Sequence, residues 1–127
     1  MSGQPGSSFD LRSVGRGTLW GLGAMLLGAL VQGLVAHSSP LTEQSEAILG
    51  MVWQATGALL AGFLAARRAP GSGWLHGASS GLLLVAILVT INGIATALPA
   101  AAALLKAAGL GAGAGALGGV AGVNTRR

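Results

Sequence analysis

The sequence predicts an all-α polytopic membrane protein, with four transmembrane helices in two hairpins packed through glycine and alanine. Three observations predict it. Hydrophobic residues make up 52% of the chain and charged residues 8%. A soluble domain carries about 25% charged residues, so this chain lacks the charge to cover a water-facing surface. The apolar residues fall in four long runs separated by short polar or proline-containing stretches. The basic residues alternate along the chain: Arg12 and Arg16 precede the first run, Arg67 and Arg68 follow the second, and Arg126 and Arg127 follow the fourth, while the other two connectors have none.

Taken in order, residues 1–16 are polar and read as a flexible cytoplasmic tail. Residues 18–36 form the first span, since about 20 residues at 1.5 Å each cross a hydrocarbon core of ~30 Å. A cleaved signal peptide is the competing reading. The apolar run is long for a signal core, and Leu34 suits a small-residue cleavage motif poorly. Ser39-Pro40 can start the next helix, because proline fits its first position. Glu43 would then lie in the first turn, where a carboxylate favours the positive helix end. Residues 47–66 form the second span. A tight turn over 67–73 leads to the third span at 74–98. Pro99 disfavours helical geometry in the residue before it and opens the fourth span at 100–123. The single transmembrane domain is therefore 17–127.

Lys and Arg mark cytoplasmic segments. Both termini and the central turn are expected in the cytoplasm of a bacterial inner membrane. Trp20, Trp53 and Trp74 are expected at interfacial levels, where an amphipathic indole is at ease. The net charge of +4 is scattered at the ends of apolar runs, so it reads as a topology signal and not as a nucleic-acid footprint. Shifting the sequence by 56 residues lays Gly17 and Gly21 on Gly73 and Gly77, and Gly62 on Gly118. This suggests a parallel repeat of two hairpins, although a chain rich in Gly, Ala and Leu also matches itself by chance.

The absence of cysteine excludes disulfides and thiolate metal sites. His37 and His76 fall at opposite membrane faces and cannot share a metal. No cofactor and no catalytic residue is expected, because no nucleophile with an adjacent base can be read. Gly113-x-Gly115-x-x-Gly118 has the form of a dinucleotide fingerprint, but no strand precedes it and no acidic residue follows at the needed distance. Small residues at four-residue spacing explain it better. Gly73, Gly77 and Gly81 repeat that spacing, as do Gly111, Gly115 and Gly119, and such stripes let helix backbones approach closely in lipid.

Two sets of residues are candidates for a site. Gln32, Gln54 and Asn92 are the amides inside the first three spans. Measured from the cytoplasmic ends they fall roughly 20–24 Å up, and Lys106 falls at about that level in the fourth. They read either as hydrogen bonds between helices, the common use of amides in bundles, or as a polar site open to the outside. Lys106 can also snorkel to the outer headgroups. The second set is Arg67, Arg68, Trp74 and His76 around the central turn. It reads as a topology and lipid anchor, or as a loop that docks a protein.

The stretch Ala61-Gly62, Ala65-Ala66-Arg67-Arg68, Gly73-Trp74-Leu75-His76-Gly77 and Gly81-Leu82-Leu83 resembles the YrzE-type family of small bacterial membrane proteins. That resemblance implies a four-helix inner-membrane protein and supplies no activity. The expected function is a non-enzymatic structural or accessory subunit. Its partners are the lipid bilayer and either further copies of itself, as a homo-oligomer, or a larger membrane complex. A small oligomeric transporter or channel is the alternative. No Asp or Glu lies within a span, which removes the usual residue for proton coupling.

Overall fold

The computed structural model describes residues 9–126, which form four helices: α1 (Leu11–Ser38), α2 (Glu43–Arg68), α3 (Gly73–Ala95) and α4 (Ala101–Asn124). All four are long and apolar enough to cross a membrane. Helices of 23 to 28 residues extend about 35–42 Å, longer than the ~30 Å hydrocarbon core.

Several boundaries differ from those expected, each for a local reason. Residues 11–16 are helical and not part of a loose tail, because Asp10 caps α1 and its carboxylate accepts from the backbone N–H of Arg12. The expected tail residues 1–8 lie outside the described residues. Thr42, not Ser39-Pro40, caps α2, with its hydroxyl accepting from the N–H of Ser45 at 3.2 Å. Glu43 and Glu46 both lie in that first turn. Helix α3 ends at Ala95, short of Leu98. The Thr96 hydroxyl donates to the carbonyl of Asn92, and Pro99 disfavours helix in the residue before it.

The start of α1, the end of α2, the start of α3 and the end of α4 lie together at one end, here called the basic end. The contacts fix this arrangement. Gly17 packs on Ala61 and Ala65, and Gly21 on Gly57 and Ala61, so α1 and α2 are antiparallel. Gly73, Gly77 and Gly81 pack on Gly119, Gly115 and Gly111, so α3 and α4 are antiparallel too. Helix α2 touches the other three helices, as does α3, whereas α1 and α4 do not touch among the described residues. The cross-section is a rhombus with α2 and α3 on its short diagonal.

The 56-residue shift relates two hairpins that close in a similar way, through Gly17 and Gly21 in one and Gly73 and Gly77 in the other. A two-fold arrangement of those hairpins would also make α1 meet α4 as α2 meets α3. The missing α1–α4 contact breaks that symmetry.

The core is made of small residues. Ala58, Ala61, Ala65 and Ala66 of α2 are completely buried, and Leu84 is the largest fully buried apolar side chain. A Cβ built on Gly77 or Gly81 would collide with the carbonyl oxygen of Gly115 or Gly111. Backbone meets backbone there, and the gain is van der Waals contact that lipid tails cannot match. Large apolar side chains point outward, among them Leu26, Leu27, Leu30 and Leu34 of α1. In water such a surface would aggregate; in a bilayer it faces its solvent.

Candidate functional site

The amides do not gather into one layer. Gln54 of α2 is half-buried and donates to the carbonyl of Ala107 on α4 at 3.0 Å. Gln32 of α1 makes a longer bond to the carbonyl of Glu46 on α2 at 3.4 Å. Asn92 is exposed, and its side-chain oxygen accepts from Thr96 of its own chain segment at 3.3 Å, so it does not join helices. Lys106 is exposed on α4. Two amides thus satisfy backbone carbonyls across helices, and none meets another.

Gln54 and Asn92 do line one cavity of about 680 Å³ at the end opposite the basic end. All four helices contribute to it: Met25 from α1, Gly50 and Met51 from α2, Leu88 and Val89 from α3, and Ala103 and Ala107 from α4. Nearby, Trp53 packs its ring against Gly28 of α1. Its indole N–H is buried with no partner among the described residues, so Trp53 packs between α1 and α2.

At the basic end the four residues expected around the turn separate. Arg67 and Arg68 are exposed, and Trp74 is 57% exposed, but His76 is 1% exposed. The start of α1 covers it. Phe9 stacks on the imidazole with ring centroids 5.1 Å apart. The backbone N–H of Asp10 donates to Nε2 of His76 at 3.0 Å, and Nδ1 lies 2.9 Å from the carbonyl of Ser72. An accepting Nε2 leaves the proton on Nδ1, which donates to Ser72. Beneath His76, the hydroxyls of Thr18 and Ser80 meet at 3.1 Å between α1 and α3, and Thr18 donates to Val14. Both are buried. The Asp10 carboxyl lies below its ordinary range, chiefly because Ser13 donates its hydroxyl to it, with the N–H groups of Arg12 and Ser13 adding to the effect.

Arg67 and Arg68 instead line a pocket of about 350 Å³ with Arg16, Gly17, Trp20 and Leu64, between α1 and α2. Arg67 also lies over the ring of Phe63, 5.6 Å from its centroid. Arg126 donates to the carbonyls of Ala66 and Ala69, closing the end of α2. Sequence reasoning left Arg16 and Trp20 out of the site. Their signal was present: both lie at the basic end of α1, level with the last turn of the helix that follows.

A model of the family described as a protein of unknown function (DUF3792) matches residues 10–122. The chain belongs to this family. The DUF3792 match starts at Asp10, the cap of α1, and takes in all but the end of α4. It establishes this family and not the narrower YrzE-type grouping. No curated protein and no solved structure matches the chain. For this member of DUF3792 the chemistry therefore has to be read from the arrangement itself. That arrangement offers a tight interior, a capped polar cluster around His76, a cavity holding two amides and a pocket lined by three guanidinium groups.

Proposed function

We propose that the protein is a non-catalytic structural or accessory subunit of a bacterial cytoplasmic membrane, packing with itself or with a larger membrane complex. The observation that carries this reading is the closed interior. Glycine backbones of α2, α3 and α4 touch along the bundle, and Gln54 spends its amide on a backbone carbonyl. Among the described residues this leaves no continuous polar path between the ends, and exposed charged groups lie at the basic end. On α4, Gly109 and Gly113 have open space where a Cβ would be, so the bundle does not consume them.

The alternation of basic residues supports an orientation with both termini and the 69–72 turn in the cytoplasm. Cysteines introduced singly at Gln44, Ser72 and Asn124 would report it. Only the one at Gln44 should react with an impermeant thiol reagent on intact cells; labelling at Ser72 would refute the orientation. The function is tested by purification in mild detergent. Wild type should emerge as an oligomer or with a stoichiometric partner, and Gly109→Leu with Gly113→Leu should reduce that association. A strictly monomeric, partner-free wild type would refute it.

A second reading rests on the cavity lined by Gln54 and Asn92, which would serve as an outward vestibule of a small transporter. Flux that depends on Gln54 would favour it.

A further inference from the structure

We propose that the pocket formed by Arg16, Trp20, Leu64, Arg67 and Arg68 binds a phosphate group, of the kind an anionic phospholipid presents. The first argument is charge balance. Three guanidinium groups line one pocket, and no carboxylate lines it. The chain has three acidic residues. Glu43 and Glu46 lie in the first turn of α2, about 32–36 Å along that helix from Arg67. The third, Asp10, is occupied by Ser13 and the N–H of Arg12. Among the described residues no side-chain carboxylate therefore serves this cluster as counter-ion, which favours an anion from outside.

The second argument is geometry. The planar guanidinium fork pairs with phosphate oxygens through two parallel hydrogen bonds, which an ammonium group cannot do. Stacking on Phe63 orients Arg67. The free carbonyls at the end of α2 would repel an anion, but Arg126 donates to those of Ala66 and Ala69.

The third argument concerns the rest of the ligand. Trp20 is 65% exposed and, with Leu64, gives the pocket an apolar wall. A basic pocket between transmembrane helices suits a lipid headgroup, and an indole sits well at headgroup level. A phospholipid uses both the guanidinium groups and the wall, whereas inorganic phosphate uses only the former.

The test is native mass spectrometry of the full chain in detergent, titrated with phosphatidylglycerol, phosphatidylcholine or inorganic phosphate. Phosphatidylglycerol should bind at least about tenfold more tightly than phosphatidylcholine, because several arginines each favour the anionic lipid. Each of Arg16→Gln, Arg67→Gln and Arg68→Gln should weaken phosphatidylglycerol by about fivefold. Arg12→Gln changes an arginine that does not line this pocket and should leave binding unchanged. Arg16→Lys with Arg68→Lys keeps the charge that membrane insertion needs and removes two forks, so affinity should still fall. Equal binding of the two lipids, wild-type affinity in the Lys variant, or an equal loss with Arg12→Gln would overturn the site. Displacement of phosphatidylglycerol by millimolar inorganic phosphate would overturn the lipid as the carrier.

Discussion

The backbone N–H of Asp10 donates to Nε2 of His76 at 3.0 Å, across 66 positions of the chain. This bond ties the cap of α1 to the first turn of α3, and Phe9 covers it by stacking on the same ring. It uses the imidazole as an acceptor for a backbone N–H. His76→Phe keeps an aromatic ring for Phe9 and removes the acceptor. Leaving the Asp10 N–H without a partner should cost about 1–3 kcal/mol. Trypsin should also cut faster after Arg12 in the variant. Unchanged stability and unchanged cleavage would show that the contact holds nothing in place.

Asp10 itself gives a pH-dependent prediction. Its carboxyl is held below the ordinary range, first by the Ser13 hydroxyl. A carboxyl lowered in the folded state contributes stability that is complete above its unfolded value of about 3.9 and lost as pH falls through the lower folded value. The stability gap between wild type and Asp10→Ala should therefore be constant above about pH 4 and close in stronger acid. A gap that widens on acidification would reverse the sign of the account.

Glycine contacts separate into two kinds. A Cβ at Gly77 meets the Gly115 carbonyl, a backbone atom that cannot step aside, while one at Gly113 meets nothing within 4 Å. Gly77→Ala should destabilise by about 1–3 kcal/mol through overpacking. Gly113→Ala should be neutral or stabilise by up to about 1 kcal/mol, from helix propensity. Unfolding in mixed micelles measures both, and equal effects would remove the distinction.

The amides separate in the same way. Gln54→Leu breaks a bond between α2 and α4 and should cost about 0.6 kcal/mol, at most about 1.7. Asn92→Leu breaks only a contact with Thr96 at the end of α3 and should leave unfolding unchanged. A larger loss for Asn92→Leu than for Gln54→Leu would contradict the observed pairing.

Four helices were legible in the sequence because four apolar runs of membrane length are hard to read otherwise. A common level for Gln32, Gln54 and Asn92 could not be read: Gln32 reaches α2 at Glu46, eight residues or about 12 Å along the helix from Gln54. Nor could their partners, because a partner depends on how each helix is rotated, and the nearest acceptors were backbone carbonyls. The place of His76 beside the turn predicts an interfacial residue. It is buried because α1 begins at Leu11, and the Asp10 cap that starts α1 was overlooked among polar residues. The arginine pocket escaped for a related reason. Arg16 looked like part of a tail, and only the α1–α2 packing at Gly17 brings it beside Arg67 and Arg68.

The closed interior is tested most directly by conductance across a planar bilayer containing the purified protein. The contacts of Gly77, Gly81, Gly111 and Gly115 predict no current above that of a protein-free bilayer. A steady conductance that Gln54→Leu changes would contradict the closed bundle and favour a pore through the cavity between the helices.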